Sequence, residues 1–179
     1  MKYKAIDVRN YNFTEKDKLF LDANIWLYLY APHKPGDASV NTYSNVFNCI
    51  LKANCQIYID VLVVSEFINV YARIKWKLIT QQKQEYKKFR NSSRFDPVAK
   101  NITADVRQIL KHCSQVESGF DSLKIDDLLN EYAKGDSDFN DQMITEICKN
   151  NGFALITDDG DFKSQRIPIL TANNKLLKS

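Results

Sequence analysis

Short apolar runs that stop at or near an acidic residue, set apart by stretches of helical spacing, leave this 179-residue chain few ways to fold. Lys18-Leu-Phe-Leu-Asp22 reads as a buried strand ending at Asp22, and Cys55-Gln-Ile-Tyr-Ile-Asp60 as a second, β-rich strand. Cys113 to Glu117 gives a short third strand and Phe153 to Thr157 a compact fourth. Arg166 to Leu170 gives a fifth, which Pro168 places near a sheet edge. A helical turn is expected over 23–30 and helices over 39–53, 61–76, 98–112, 126–133 and 139–150. The polar, basic stretch from Gln81 to Arg90 reads as an exposed helix. Pro97 suits a first helical turn, and Asp138 and Gly152 bracket the helix at 139–150 as N-cap and stop signal. Strands that alternate with helices pair in parallel and carry the helices on their faces. The expected architecture is therefore α/β: a three-layer α/β/α sandwich around a mostly parallel sheet of four or five strands. It forms one domain over 1–179, with a longer basic helical region at about 75–124.

Composition narrows the function classes. Apolar residues make up 44% of the chain and charged residues 26%, as in an ordinary globular protein, and 5 Gly with 4 Pro exclude collagen-like and low-complexity readings. No apolar run approaches the roughly 20 residues of a membrane span, and the first ten residues lack an apolar signal region. Cys49, Cys55, Cys113 and Cys148 are scattered, and only His33 and His112 could join them, so a zinc site is not expected. Free thiols in a reducing cytoplasm are. The formal net charge is only +3, yet it is unevenly spread. Arg73 to Lys100 carries nine Lys or Arg against two acids, and Asp121 to Asp161 eleven acids against three Lys. This permits a basic surface for nucleic acid and a separate acidic site.

The acids fall where an α/β sheet collects them. Asp22 ends the first strand, Glu66 lies within the helix after the second, Asp141 is in the first turn of the helix before the fourth, and Asp158, Asp159 and Asp161 follow that strand. Ligands of such sheets bind beyond the carboxyl ends of the strands, which is where Asp22 and Asp159 arrive. Two unit charges 4 Å apart repel by roughly 4 kcal/mol at an effective dielectric of about 20, so converging carboxylates stay ionised together only around a cation. Oxygen donors without nearby Cys or His favour Mg²⁺ or Mn²⁺. Each acid also has a plainer reading: Asp138 as a cap, Asp141 as its capping-box partner, Asp158-Asp159-Gly160-Asp161 as a turn. Glu66, flanked by Val63, Val64, Phe67 and Ile68, is hardest to explain so.

Four segments resemble the PIN-domain nucleases, VapC-like ribonucleases among them: Leu21-Asp-Ala-Asn-Ile25, Val64-Ser-Glu-Phe67, Asn140-Asp-Gln-Met-Ile144 and Leu155-Ile-Thr-Asp-Asp-Gly-Asp-Phe162. Their order and placement span 18–170, and the last is the most specific. Matched residue by residue, the resemblance puts the family's metal-binding acids on Asp22, Glu66, Asp141 and Asp159, with Asp161 contributing and Asp138 nearby. Asn24 and Thr157 fall on polar residues that steady the first and last acids. It departs at Gln142-Met143, where small or aliphatic residues are usual, and in the stretch from Lys75 to Lys124, longer than in compact toxin members. The resemblance implies metal-dependent cleavage of RNA, a place in a toxin–antitoxin pair with an antitoxin partner, and a homodimer. Arg73, Lys75, Lys83, Lys87, Lys88, Arg90 and Arg94 would neutralise RNA phosphates, and Tyr86, Phe89 and Phe95 would either stack on bases or pack an amphipathic helix.

Two other readings compete. One is a PIN-like RNA- or protein-binding module that has lost catalysis. The other is a haloacid-dehalogenase-type phosphatase, which shares an Asp at the end of its first strand and a late Asp-Asp pair. That family needs a carboxylic acid two residues after its nucleophile, and Asn24 stands there.

Overall fold

The computed structural model describes residues 4–135 and 138–178. Six strands form one all-parallel sheet: β1 (Ile6–Asp7), β2 (Lys18–Leu21), β3 (Gln56–Ile59), β4 (Ser114–Gln115), β5 (Ala154–Ile156) and β6 (Ile169–Thr171). Their order is β1-β6-β5-β2-β3-β4. The fold class is as the alternation of strands and helices predicts, with one strand more than the four or five expected. The extra one, β1, has two residues, too few to leave a periodic signal. It also takes the outer edge, so β6 lies inside the sheet. Pro168 stands just before β6 and uses only its carbonyl, which accepts from Leu155 N–H.

Eight helices cover the sheet: α1 (Ala23–Tyr30), α2 (Ala38–Lys52), α3 (Val61–Thr80), α4 (Tyr86–Arg90), α5 (Asp96–His112), α6 (Ile125–Tyr132), α7 (Phe139–Asn151) and α8 (Asn174–Leu177). α1 and α5 each pack against α3, and α6 packs against α7. The exposed helix expected over 81–90 shortens to α4, because Gln81 and Gln82 take left-handed backbone and end α3 at Thr80. Phe89 is fully buried against Phe95, so the helix is anchored by packing. The core runs through Leu19, Phe20, Leu21, Ile57, Ile59, Leu155 and Ile156 on the central strands, with Trp26 and Phe67 from α1 and α3. β2 is buried on both faces from Leu19 to Leu21, which explains its nearly continuous apolar run, whereas β3 alternates, with Ile57 and Ile59 buried and Tyr58 half-buried.

Strand order reverses at the centre of the sheet. From β2 the chain moves outward to β3 and β4, then returns through α7 to β5 on the other side of β2. A crevice opens at such a switch point beyond the strand carboxyl ends. The exits of β2 and β5 are adjacent there: Leu21 pairs with Ile156, and Asp22 N–H donates to Ile156 O at 3.0 Å.

Candidate active site

Asp22 is the first residue past β2 and the N-cap of α1, so the strand end and the helix start both fix it. It is only 5% exposed. Oδ1 accepts from Ala23 N–H at 2.6 Å, and Oδ2 accepts from Asn24 Nδ2 at 2.6 Å and Thr157 Oγ1 at 2.7 Å. Burial, the largest influence, and the Asp159 charge push its carboxyl up to about 6, against the pull of those three donors.

Thr157 is the hinge between the two strand ends. Fully buried, its hydroxyl donates to Asp22 and accepts from Asn24 Nδ2 at 3.1 Å and from Asp159 N–H at 3.0 Å. A single oxygen therefore ties the first acid to the backbone of the last, 137 positions later in the chain. Asp159 is exposed, and its carboxylate accepts from Asp161 N–H at 2.9 Å, capping a short 3-10 turn over Gly160–Ser164. Asp161 contributes that backbone N–H and is itself exposed.

Asp141 and Glu66 come from different helices, α7 and α3. Asp138 caps α7, accepting from Asn140 N–H at 2.6 Å, and so presents Asp141 in the first turn. Asp141 is pushed up to about 7, first by burial and then by Asp138, Asp22, Asp159 and Glu66. Glu66, on the second turn of α3, also rises to about 7, by burial and then by Asp22, Asp138 and Asp159. These mutual influences define one electrostatic basin. Among the described residues, however, no three His, Cys, Asp or Glu side chains already form a ready metal cage. The acids face a common region without being drawn into contact, as expected of like charges.

The donor chemistry suits a hard cation. The acids coupled here, Asp22, Glu66, Asp141 and Asp159, all offer oxygen, and the Cys148 thiol is buried and pushed far up, which keeps it protonated and a poor ligand. Asp22 Oδ1 accepts a single hydrogen bond and so keeps coordinating capacity.

The remaining sequence candidates lie elsewhere. Arg73 and Lys75 project from α3, Lys87, Lys88 and Arg90 from α4, and Lys83 and Arg94 from the turns around α4. Arg73 lies over the Tyr86 ring at 4.8 Å, Lys88 pairs with Glu85 at 3.5 Å, and Arg94 donates to Ile79 O at 3.2 Å. Tyr86 packs edge-on against Trp76, and Phe89 is core, so for these rings the packing reading holds over base stacking.

Sequence reasoning misses three groups. Tyr28 and Tyr43 hydroxyls both reach the Asp158 carboxylate, each at 2.8 Å, and Asn173 donates to the Asp158 carbonyl. Nothing in the spacing of these residues announces the meeting. Asp60, the N-cap of α3 at the end of β3, shows in the sequence only as a strand end. It is buried, accepts from Val63 N–H at 3.1 Å, and leaves Oδ2 without a partner.

The PIN domain family model matches residues 19–167. No curated protein matches the chain. A solved VapBC2 from Rickettsia felis, bound to a DNA fragment from their promoter, is similar in structure. The TM-score is 0.56 at 15% identity, over 86% of this chain and 98% of that one. At that identity the likeness concerns the fold.

Proposed function

The chain belongs to the PIN-domain family, and from that premise we propose that it is a Mg²⁺- or Mn²⁺-dependent ribonuclease. The observation that carries the reading is the Asp22–Thr157–Asp159 linkage at the sheet's switch point, with Asp141 and Glu66 pressing on the same basin. Asp22, Asp141 and Asp159 would hold the cation, and Asp161 and Asp138 would add negative potential at the margin. When bound, the cation supplies a Lewis acid for the scissile phosphate and acidifies water. Glu66 would orient the attacking water from the second turn of α3, where burial and the neighbouring acids raise its pKa in the metal-free protein. Asn24 and Thr157 keep Asp22 in one rotamer through their hydrogen bonds. The cations along α3 and α4 attract the RNA backbone.

The phosphatase alternative loses support in the structure. Asn24 donates to Asp22 and accepts from Asp158 N–H at 3.2 Å, a fixed amide with no proton to exchange. The toxin role, with an antitoxin partner and a homodimer, rests on family likeness, to which the VapBC2 neighbour adds. We place the protein in the cytoplasm, in keeping with four free thiols. None of the described helices is long and apolar enough to cross a membrane.

Incubation of labelled RNA with wild type and Asp22→Asn, with and without EDTA, tests the reading. Cleavage by wild type alone, abolished by EDTA and restored by Mn²⁺, is the expected result. Binding of RNA without cleavage would instead favour the inactive module.

A further inference from the structure

Asp158 separates Thr157 from Asp159, so its position decides where both sit. Four hydrogen bonds fix it. Its N–H donates to Asn24 Oδ1 at 3.2 Å and its carbonyl accepts from Asn173 Nδ2. Oδ1 accepts from the Tyr43 hydroxyl and Oδ2 from the Tyr28 hydroxyl, both at 2.8 Å. The two rings come from α1 and α2 and stack face to face, 5.4 Å between centroids and 4° between planes. Tyr43 is fully buried, and its oxygen also accepts from Ala172 N–H at 3.0 Å, just past β6. One paired-phenol clamp thereby joins α1, α2 and the exits of β5 and β6.

The neighbouring acids differ in a telling way. Asp159 has an exposed carboxylate tied only to the backbone beside it. Asp158 has both oxygens engaged by phenol hydroxyls and is committed to the clamp. With both oxygens spent on side chains of other elements, Asp158 is built to hold its neighbours still. Resting on the metal-dependent reading above, we infer that Asp158, gripped by Tyr28 and Tyr43, is a positioning residue that sets the cation affinity of the Asp22–Thr157–Asp159 rim. If it slackens, the Thr157 hydroxyl and the Asp159 backbone lose their register with Asp22, and the carboxylates spread under their own repulsion. Groups one step removed from a metal's ligands commonly govern its affinity in this way.

The test is calorimetric titration of Mn²⁺ into the full chain: wild type, Tyr28→Phe/Tyr43→Phe, Asp158→Asn, and Ile50→Val as a core variant on α2 that keeps the clamp's hydroxyls and carboxylate. The phenylalanines keep the stacked rings and remove only the hydroxyls. The clamp variants should bind Mn²⁺ more weakly by roughly tenfold or more, with the Mn²⁺ needed for half-maximal RNA cleavage rising in step, while Ile50→Val binds as wild type does. Clamp variants with lowered melting points but unaltered Mn²⁺ affinity would show a merely structural role and overturn the inference. No binding heat in wild type would instead remove the metal reading itself. Tyr28→Phe alone, at a half-buried ring, serves should the double variant not fold.

Discussion

The rim above β2 and β5 and the basic arm of outer α3 and α4 both carry dense charge, and they treat it in opposite ways. At the rim, side chains are knitted to distant parts of the chain: Asp22 to Thr157, Thr157 to Asp159, Asp158 to Tyr28 and Tyr43. On the arm, Arg73, Lys87, Lys88 and Arg90 are exposed, and Glu85 meets Lys88 at 3.5 Å in full solvent. Charges held at fixed separation in low dielectric demand a counter-charge of defined size and place, which is what a divalent ion supplies. Charges on mobile, solvated stems favour a polyanion without fixing its register. Chemistry and substrate attraction are thus divided between two regions built by different rules.

The contrast is broken most severely by Asp22→Asn. The asparagine can still cap α1, so the fold should persist, while RNA cleavage drops by on the order of a hundredfold or more. The melting point of the metal-free variant should equal or exceed that of wild type, since a buried charge is gone. A large drop in melting point would show that Asp22 serves the fold rather than the reaction.

Neutralising the arm should act differently. Arg73→Gln, Lys87→Gln, Lys88→Gln and Arg90→Gln together should raise KM roughly tenfold and leave kcat within about twofold. The salt dependence of RNA binding should flatten by about 0.7 in log–log slope for each phosphate that is no longer neutralised. A fall in kcat at unchanged KM would place these cations in the reaction instead.

A subtler difference is readable in pH. Asp22, Glu66 and Asp141 have folded pKa values of about 6, 7 and 7, above those of an unfolded carboxyl. Between roughly pH 4 and 7 the native state therefore holds more protons than the unfolded chain, and metal-free stability falls as pH rises through that window. Melting curves in EDTA should climb as pH is lowered from 7.5 to 5, and saturating Mn²⁺ should flatten the trend. The quadruple arm variant keeps all three of these acids, so it should follow the wild-type slope.

The smallest effect concerns Asp60, the rim's counter-example. It occupies at β3 the place that Asp22 occupies at β2, yet only backbone amides of the following turn meet it, and Oδ2 has no partner among the described residues. Asp60→Ser keeps the cap and removes the orphaned oxygen, so stability should rise by about 1 kcal/mol in chemical denaturation, with RNA cleavage unchanged.

Much of this is legible in the sequence. β2, β3 and β5 announce themselves as apolar runs bounded by acids, and Asp138 and Gly152 mark α7 through local chemistry, a side-chain cap and a left-handed stop at φ 68°. Topology then brings Asp22 beside Thr157 with no further information. What escapes is whatever depends on tertiary meeting alone. β1 is too short to show a period. Tyr28 and Tyr43 read as ordinary apolar-face residues of α1 and α2 until β5 delivers Asp158 between them. Phe89 sits among lysines and looks exposed until Phe95, at the start of α5, packs against it.

A crystal soaked in Mn²⁺, read by anomalous scattering, tests the central claim most directly. A peak beyond β2 and β5, with oxygens of Asp22 and Asp159 about 2.0–2.3 Å away, is the expected result. Manganese bound only at unrelated surface carboxylates, with the rim acids unmoved and unligated, would contradict it.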